Sequence, residues 1–115
     1  MEVIIVNFYI SNSIDEIKEQ DINVEFSDEL INYIYKLSKK EKYDFKKIYE
    51  IDPYMDIIVP KEDLHQIIEE CNLILNAALL QGYEDPDEGN QMLRDLLHIA
   101  QMALSKNSGL VSIGD

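Results

Sequence analysis

Apolar residues recur along the chain with two different spacings, and these spacings predict its helices and strands. Residues 3–10 read Val-Ile-Ile-Val-Asn-Phe-Tyr-Ile, so both faces of an extended segment are largely apolar. Such a run of β-branched and aromatic residues is typical of an interior strand that is covered on each side. The polar residues 11–13 follow it and predict a turn before a short helical or irregular stretch.

The first predicted helix spans about 28–40. Ser27 is a favourable N-cap residue, acids occupy the first turn, and lysines occupy the last turns, as the helix dipole favours. The apolar residues between them recur at helical spacing. Residues 41–50 mix aromatic and charged residues, which favours a second short helix, and the dipeptide Asp52-Pro53 interrupts it.

Two further helices are predicted in the second half of the chain. The longer one begins at Pro60 and carries an apolar stripe that includes Cys71. We expect it to end at Gly82, because glycine is the usual C-terminal cap residue. An acidic loop at 82–90 separates it from a last helix over about 90–105.

Two short apolar runs complete the pattern of predicted elements. The run at 55–59 ends at Pro60, and the run at 110–113 lies near the C-terminus, so each is a candidate strand. We therefore predict one globular domain over residues 1–115, of the α+β class. It is mostly helical, with a small sheet of two or three short strands.

The charge of the chain is strongly and unevenly acidic. It holds 23 acidic and 10 basic residues, for a formal net charge of −13. Residues 36–47 hold six lysines and are net basic, whereas residues 48–115 sum to −10. This balance argues against binding to nucleic acids or to anionic membranes, because both are negatively charged. It favours a cationic protein partner, or it serves solubility alone.

Two segments combine these acids with features of protein interfaces. In residues 49–56, tyrosines and a methionine stand among carboxylates, and tyrosine is frequent at interface centres. The acidic loop at 84–88 is expected at the rim of the same contact. The predicted partner-binding residues are Tyr49, Glu50, Asp52, Tyr54, Asp56, Glu84, Asp85, Asp87 and Glu88. The alternative for the tyrosines is burial in the core of the chain itself.

The acidic loop does not fit a calcium-binding EF-hand. Counted from Asp85, its glycine falls at position 5 instead of 6, and Leu96 stands at position 12, where a glutamate is required. An acidic turn is the better interpretation, with the following helix capped by Asp87 or Asn90.

No other arrangement of residues predicts catalysis, a cofactor or a metal site. His65 and His98 lack the converging ligands that a zinc site needs, and no glycine-rich phosphate loop is present. Cys71 lies on an apolar stripe, where core packing is expected rather than nucleophilic chemistry. A single cysteine, with neither a signal-peptide pattern nor a membrane-spanning run, predicts a cytoplasmic location.

In size, acidity and helix-rich α+β pattern, the chain resembles the bacterial immunity proteins that neutralise polymorphic or contact-dependent toxins. The resemblance covers the whole chain and rests on these general features without a shared motif. It implies a non-enzymatic inhibitor that binds a cognate toxin domain, often a basic nuclease, in a stoichiometric complex. The alternative is a regulatory or adaptor domain that homodimerises through a helical face. An enzyme with an unrecognised site is a third hypothesis.

Overall fold

The computed structural model describes residues 3–41 and 43–114. In chain order its elements are β1 (Ile5–Ile10), a 3-10 turn (Ile14–Glu16), β2 (Asn23–Ser27), α1 (Asp28–Glu41), α2 (Lys46–Tyr49), β3 (Ile57–Val59), α3 (Lys61–Asn76), α4 (Pro86–Ser105) and β4 (Leu110–Ile113). The α+β class is confirmed. The prediction of two or three strands was wrong, because the described residues form a sheet of four.

The four strands form one antiparallel sheet in the order β2-β1-β4-β3. β1 lies between β2 and β4, so its prediction as an interior strand is confirmed. The register pairs Ile5 with Ser27 and Ile57 with Ser112. The starts of β1 and β3 therefore lie at the same end of the sheet as the ends of β2 and β4. We call this the upper end; the connection at 11–22 lies at the opposite, lower end.

The two faces of the sheet have different surroundings. Val6 and Phe8 are fully buried and belong to one apolar cluster with residues of all four helices. On the other face, the register places Tyr9, Val111 and Ile58 in one row across three strands, and these three lie outside that cluster. β1 therefore has one face in the core and one that remains partly exposed, where the sequence predicted cover on both.

The strand that the sequence analysis did not predict is β2. It alternates polar and apolar residues, and only two of its five residues are apolar, so it presents a weak pattern. Its place depends on pairing with β1 and on Phe26, whose ring packs edge-to-face on Phe8 at 6.2 Å between centroids. Ser27 ends the strand and caps α1 as predicted, because its hydroxyl accepts a hydrogen bond of 3.1 Å from the Leu30 N–H.

The long helix α3 ends at Asn76, six residues before the predicted end at Gly82. Ala78 takes a left-handed conformation with φ of 53°, and the Leu79 N–H donates to the Ile74 carbonyl at 3.0 Å. The Ala78 N–H donates to the Leu75 carbonyl at 3.3 Å, which completes a Schellman motif with alanine at the position that usually holds glycine.

The last helix, α4, begins at Pro86 instead of about 90, and it shortens the predicted acidic loop. Its N-cap is Asp85, whose carboxylate accepts the Glu88 N–H at 3.1 Å, so the expectation that Asp87 or Asn90 caps this helix was wrong. Proline suits the first position of a helix because its missing N–H has no helical partner there. In the two described ranges, no helix combines the length and the apolar character needed to cross a bilayer.

Candidate protein-binding surface

The first acidic segment, residues 49–56, connects α2 to β3. Its centre is exposed: Tyr54 is 64% accessible and Met55 is 59% accessible. The Asp52 carboxylate accepts the Tyr54 N–H at 2.9 Å, which shapes a tight turn and holds these two side chains outward. An exposed tyrosine beside an exposed methionine is the kind of apolar surface that protein interfaces use.

The two ends of the first acidic segment are attached to the fold. Tyr49 closes α2 and packs edge-to-face on Tyr35 of α1, with ring centroids 5.1 Å apart, so this ring is partly buried within the chain. At the other end, the Asp56 carboxylate accepts the Gly114 N–H at 3.0 Å. Glu50 is exposed and lies 3.8 Å from Lys46, a pair with little energetic effect at the surface.

The second acidic segment, residues 84–88, begins α4 and is built around a buried glycine. A Cβ atom on Gly89 would lie 2.9 Å from Leu80 and 3.0 Å from the Tyr83 ring, so only glycine fits without displacing them. Tyr83 in turn packs edge-to-face on Tyr33 of α1 at 5.2 Å. Glu84, Asp85, Asp87 and Glu88 are exposed around this anchored turn.

The second acidic segment borders an acidic cleft of about 400 Å³ between the start of α4 and the end of β2. Four carboxylates line it, together with Tyr83 and the apolar Val3: Glu29, Glu84, Asp85 and Glu88. Burial raises the pKa of the Tyr83 phenol, and the nearby carboxylates of Glu29, Glu88 and Glu84 raise it further. The cleft therefore has a negative potential and suits the cationic side chain of a partner.

The register of the sheet brings the two acidic segments to the same end. The first leads into the start of β3 and is joined to Gly114 at the end of β4, so it lies at the upper end. The cleft of the second is lined by Ser27, the last residue of β2, which also lies at the upper end. The segments stand at opposite edges of a four-stranded sheet, roughly 14 Å apart at the usual strand spacing.

The lysines of the net-basic stretch 36–47 are partly engaged within the chain. Lys47 lies 3.5 Å from Asp63, Lys46 pairs with Glu50, and Lys39 lies 5.3 Å from the centre of the Tyr35 ring. Lys42 lies outside the described residues. These contacts join part of the basic stretch to α1, to α3 and to Glu50 of the first acidic segment.

The sequence pattern did not single out Glu70, which is only 2% exposed on α3 and supports the candidate surface. Its carboxylate accepts the N–H groups of Ile48 at 3.1 Å and Lys47 at 3.3 Å, and the Gln66 side-chain amide at 3.0 Å. Burial raises the pKa of Glu70, while these hydrogen bonds oppose the increase. Glu70 thereby holds α2, from which the first acidic segment emerges. The available signal was an acid on the same helical stripe as Ile67.

The cysteine and the two histidines lie apart from the two acidic segments in sequence. Cys71 is fully buried, as predicted, and burial raises the pKa of its thiol, which disfavours the nucleophilic thiolate. His65 and His98 are exposed on their helices. Among residues 3–41 and 43–114, no three histidine, cysteine or acidic side chains converge as a metal-binding group would require.

Comparisons with known proteins identify no relative of this chain. No family model matches the chain, and no curated protein and no solved structure is significantly similar to it.

Proposed function

We propose that this chain is a protein-binding module that uses the upper end of its sheet to bind a basic protein domain one to one. We further propose that it acts as an immunity-type inhibitor of that domain. The observation that carries the proposal is the position of both acidic segments at one end of the sheet. In the first segment, the side chains of Tyr54 and Met55, which lie between Asp52 and Asp56 in the sequence, are exposed.

The physical argument combines charge with apolar surface. Negative charge at one end of the molecule steers a cationic partner and raises the association rate, while aromatic and methionine side chains at the centre lower the dissociation rate. The second acidic segment contributes a cleft that accepts a lysine or arginine side chain between four carboxylates. A partner that spans roughly 14 Å contacts both segments at once.

The test is a kinetic binding measurement with the basic C-terminal domain of a toxin encoded beside the gene of this chain. Two double variants reverse the charge of one segment each: Asp52→Lys with Asp56→Lys, and Glu84→Lys with Glu88→Lys. The matched control is Asp15→Lys with Glu19→Lys, which makes the same charge change on exposed residues of the lower connection.

We expect each upper-end double variant to lower the association rate constant about tenfold or more, and the lower-end control to lower it about twofold or less. The wild-type rate should fall as NaCl rises from about 50 mM to about 500 mM. If binding did not depend on salt and all three double variants affected it equally, the acidic residues would contribute to solubility and not to partner binding. A dimer of this chain that never includes the toxin domain would favour the adaptor alternative.

A further inference from the structure

β3 is an edge strand whose outer side has no strand partner among the described residues. Edge strands expose N–H and C=O groups that pair readily with another chain, so proteins often guard them with lysine, proline or a bulge. β3 is short and Pro60 follows it directly, but its three residues, Ile57, Ile58 and Val59, include neither a charge nor a proline. This edge is therefore open to strand addition.

A groove of about 390 Å³ runs along this edge between α2, β3 and α3. Its floor is apolar, because the side chains of Ile51, Val59 and Ile67 are each less than 10% exposed and line it. Its charged lining residues are Lys47, Glu50 and Asp63, and Lys47 lies 3.5 Å from Asp63. The groove lies on the core face of the sheet, where an added strand would place every second side chain.

Ile58 offers apolar surface on the other face of the same edge. It is 49% exposed, and it ends the row that Tyr9 and Val111 form across the sheet. The side chains of an added strand alternate between the two faces, so successive residues would meet the groove and Ile58 in turn.

The charge around the edge selects a basic occupant rather than a second copy of this chain. Residues 46–63, which include the two lysines of α2 beside the groove, contain five acids and three lysines, for a net charge of −2. Two copies paired at this edge would bring two such stretches together, and like charges across an interface are unfavourable. A strand with lysine or arginine residues is complementary to the same surface.

We propose that the β3 edge takes up an extended, basic segment of the partner as a fifth strand, with its alternate apolar side chains in the groove. This inference deepens the proposed function and rests on it, since the occupant belongs to the same basic partner. It adds the way in which that partner is held: backbone pairing along Ile57–Val59, with charge pairing at its flanks.

The test uses a synthetic peptide of nine residues that alternates lysine and valine. Its matched control has the same sequence with every second backbone nitrogen methylated, which removes donors from one edge and leaves charge and composition unchanged. Binding is measured by calorimetry, and amide hydrogen exchange of Ile57, Ile58 and Val59 is followed by NMR. We expect the unmodified peptide to slow exchange at this strand about tenfold and the methylated peptide to bind about tenfold more weakly.

A pair of variants tests whether the peptide binds at this edge. Ile58→Lys adds a charge at the open edge, and Leu73→Lys adds the same charge at a residue of α3 that is 41% exposed. We expect Ile58→Lys to weaken peptide binding about tenfold more than Leu73→Lys does.

Equal binding of the two peptides, or equal effects of the two variants, overturns the strand pairing and leaves the acidic binding function intact. Failure of the proposed function is recognised separately, by salt-independent binding of the toxin domain and by the charge-reversal variants. Concentration-dependent protection of Ile57–Val59 in the protein alone would overturn the basic occupant in favour of a second copy.

Discussion

The second acidic segment, residues 84–88, is the beginning of a helix, whereas the first, residues 49–56, is a turn that leads to an open strand. In the second, Asp85 caps α4, and Gly89 fits closely against Tyr83. In the first, hydrogen bonds hold the two ends, and the aromatic and methionine side chains between them remain exposed to solvent.

This difference shows that acid density alone does not identify an interface. Both segments carry several carboxylates, and in each segment some of them accept backbone N–H groups, but Tyr83 beside the second segment is partly buried. The first segment joins its charges to exposed apolar surface and to a strand edge that has no strand partner within residues 3–41 and 43–114. We therefore expect the first segment to form the centre of the contact and the second to form its rim.

The largest stability effect is expected for Glu70→Ala, which removes the support beneath the first acidic segment. The Lys47 N–H loses its acceptor and the Ile48 N–H keeps only the Phe45 carbonyl, so the free energy of unfolding should fall by about 2–3 kcal/mol. Hydrogen exchange should accelerate over residues 47–56 and stay unchanged over 84–88. Glu69→Ala, at an exposed neighbour, should change stability by less than about 0.5 kcal/mol. Similar losses for both variants would contradict this role.

The same carboxylate predicts a pH dependence. Burial raises the pKa of Glu70 in the folded state above its ordinary value, so the folded state binds this proton more tightly than the unfolded state does. Protonated Glu70 therefore contributes stability that is fully present below its unfolded-state pKa and is lost as pH rises through its folded-state pKa. Between about pH 4 and pH 7, wild type should therefore lose stability relative to Glu70→Gln. Denaturant unfolding at several pH values checks this, and a constant difference would contradict it.

A smaller loss is expected for Gly89→Val, which disturbs the second acidic segment alone. The added side chain overlaps Leu80 and the Tyr83 ring, and overpacking of this kind should cost about 1–2 kcal/mol in denaturant unfolding. Tyr54→Ala is the counterpart in the first segment, and its exposed ring should leave stability within about 0.5 kcal/mol. If Gly89→Val and Tyr54→Ala lowered the free energy of unfolding equally, Gly89 would not be more closely packed than Tyr54.

A smaller effect than that of Gly89→Val is expected for Asp85→Ala. Loss of the N-cap should lower the free energy of unfolding by about 1 kcal/mol, whereas Asp85→Asn should retain the cap. Asp87→Ala removes only a first-turn charge and should cost about 0.3–0.5 kcal/mol. Thermal unfolding of the three variants gives the order, and a larger loss for Asp87→Ala would place the cap elsewhere.

The sequence pattern predicted those parts of the fold that depend on interactions between residues close together in the chain. Ser27 caps α1 with its own side chain, and β1 is a run of residues suited to a strand, so both were evident from the sequence. β2 was missed because its short alternating pattern is stabilised by pairing with β1. The end of α3 was misplaced because Ala78, not Gly82, adopts the left-handed conformation there.

The sequence by itself determined the α+β class, the acidity, most of the helix positions and the burial of Cys71, because propensity, charge and apolar spacing act within a few residues. Only the tertiary structure decided that residues 49–56 and 84–88 share one end of the sheet, that Tyr54 is exposed while Tyr49 packs on α1, and that Glu70 supports α2. Each of these depends on strand register or on contacts between distant segments, and no local pattern encodes such contacts.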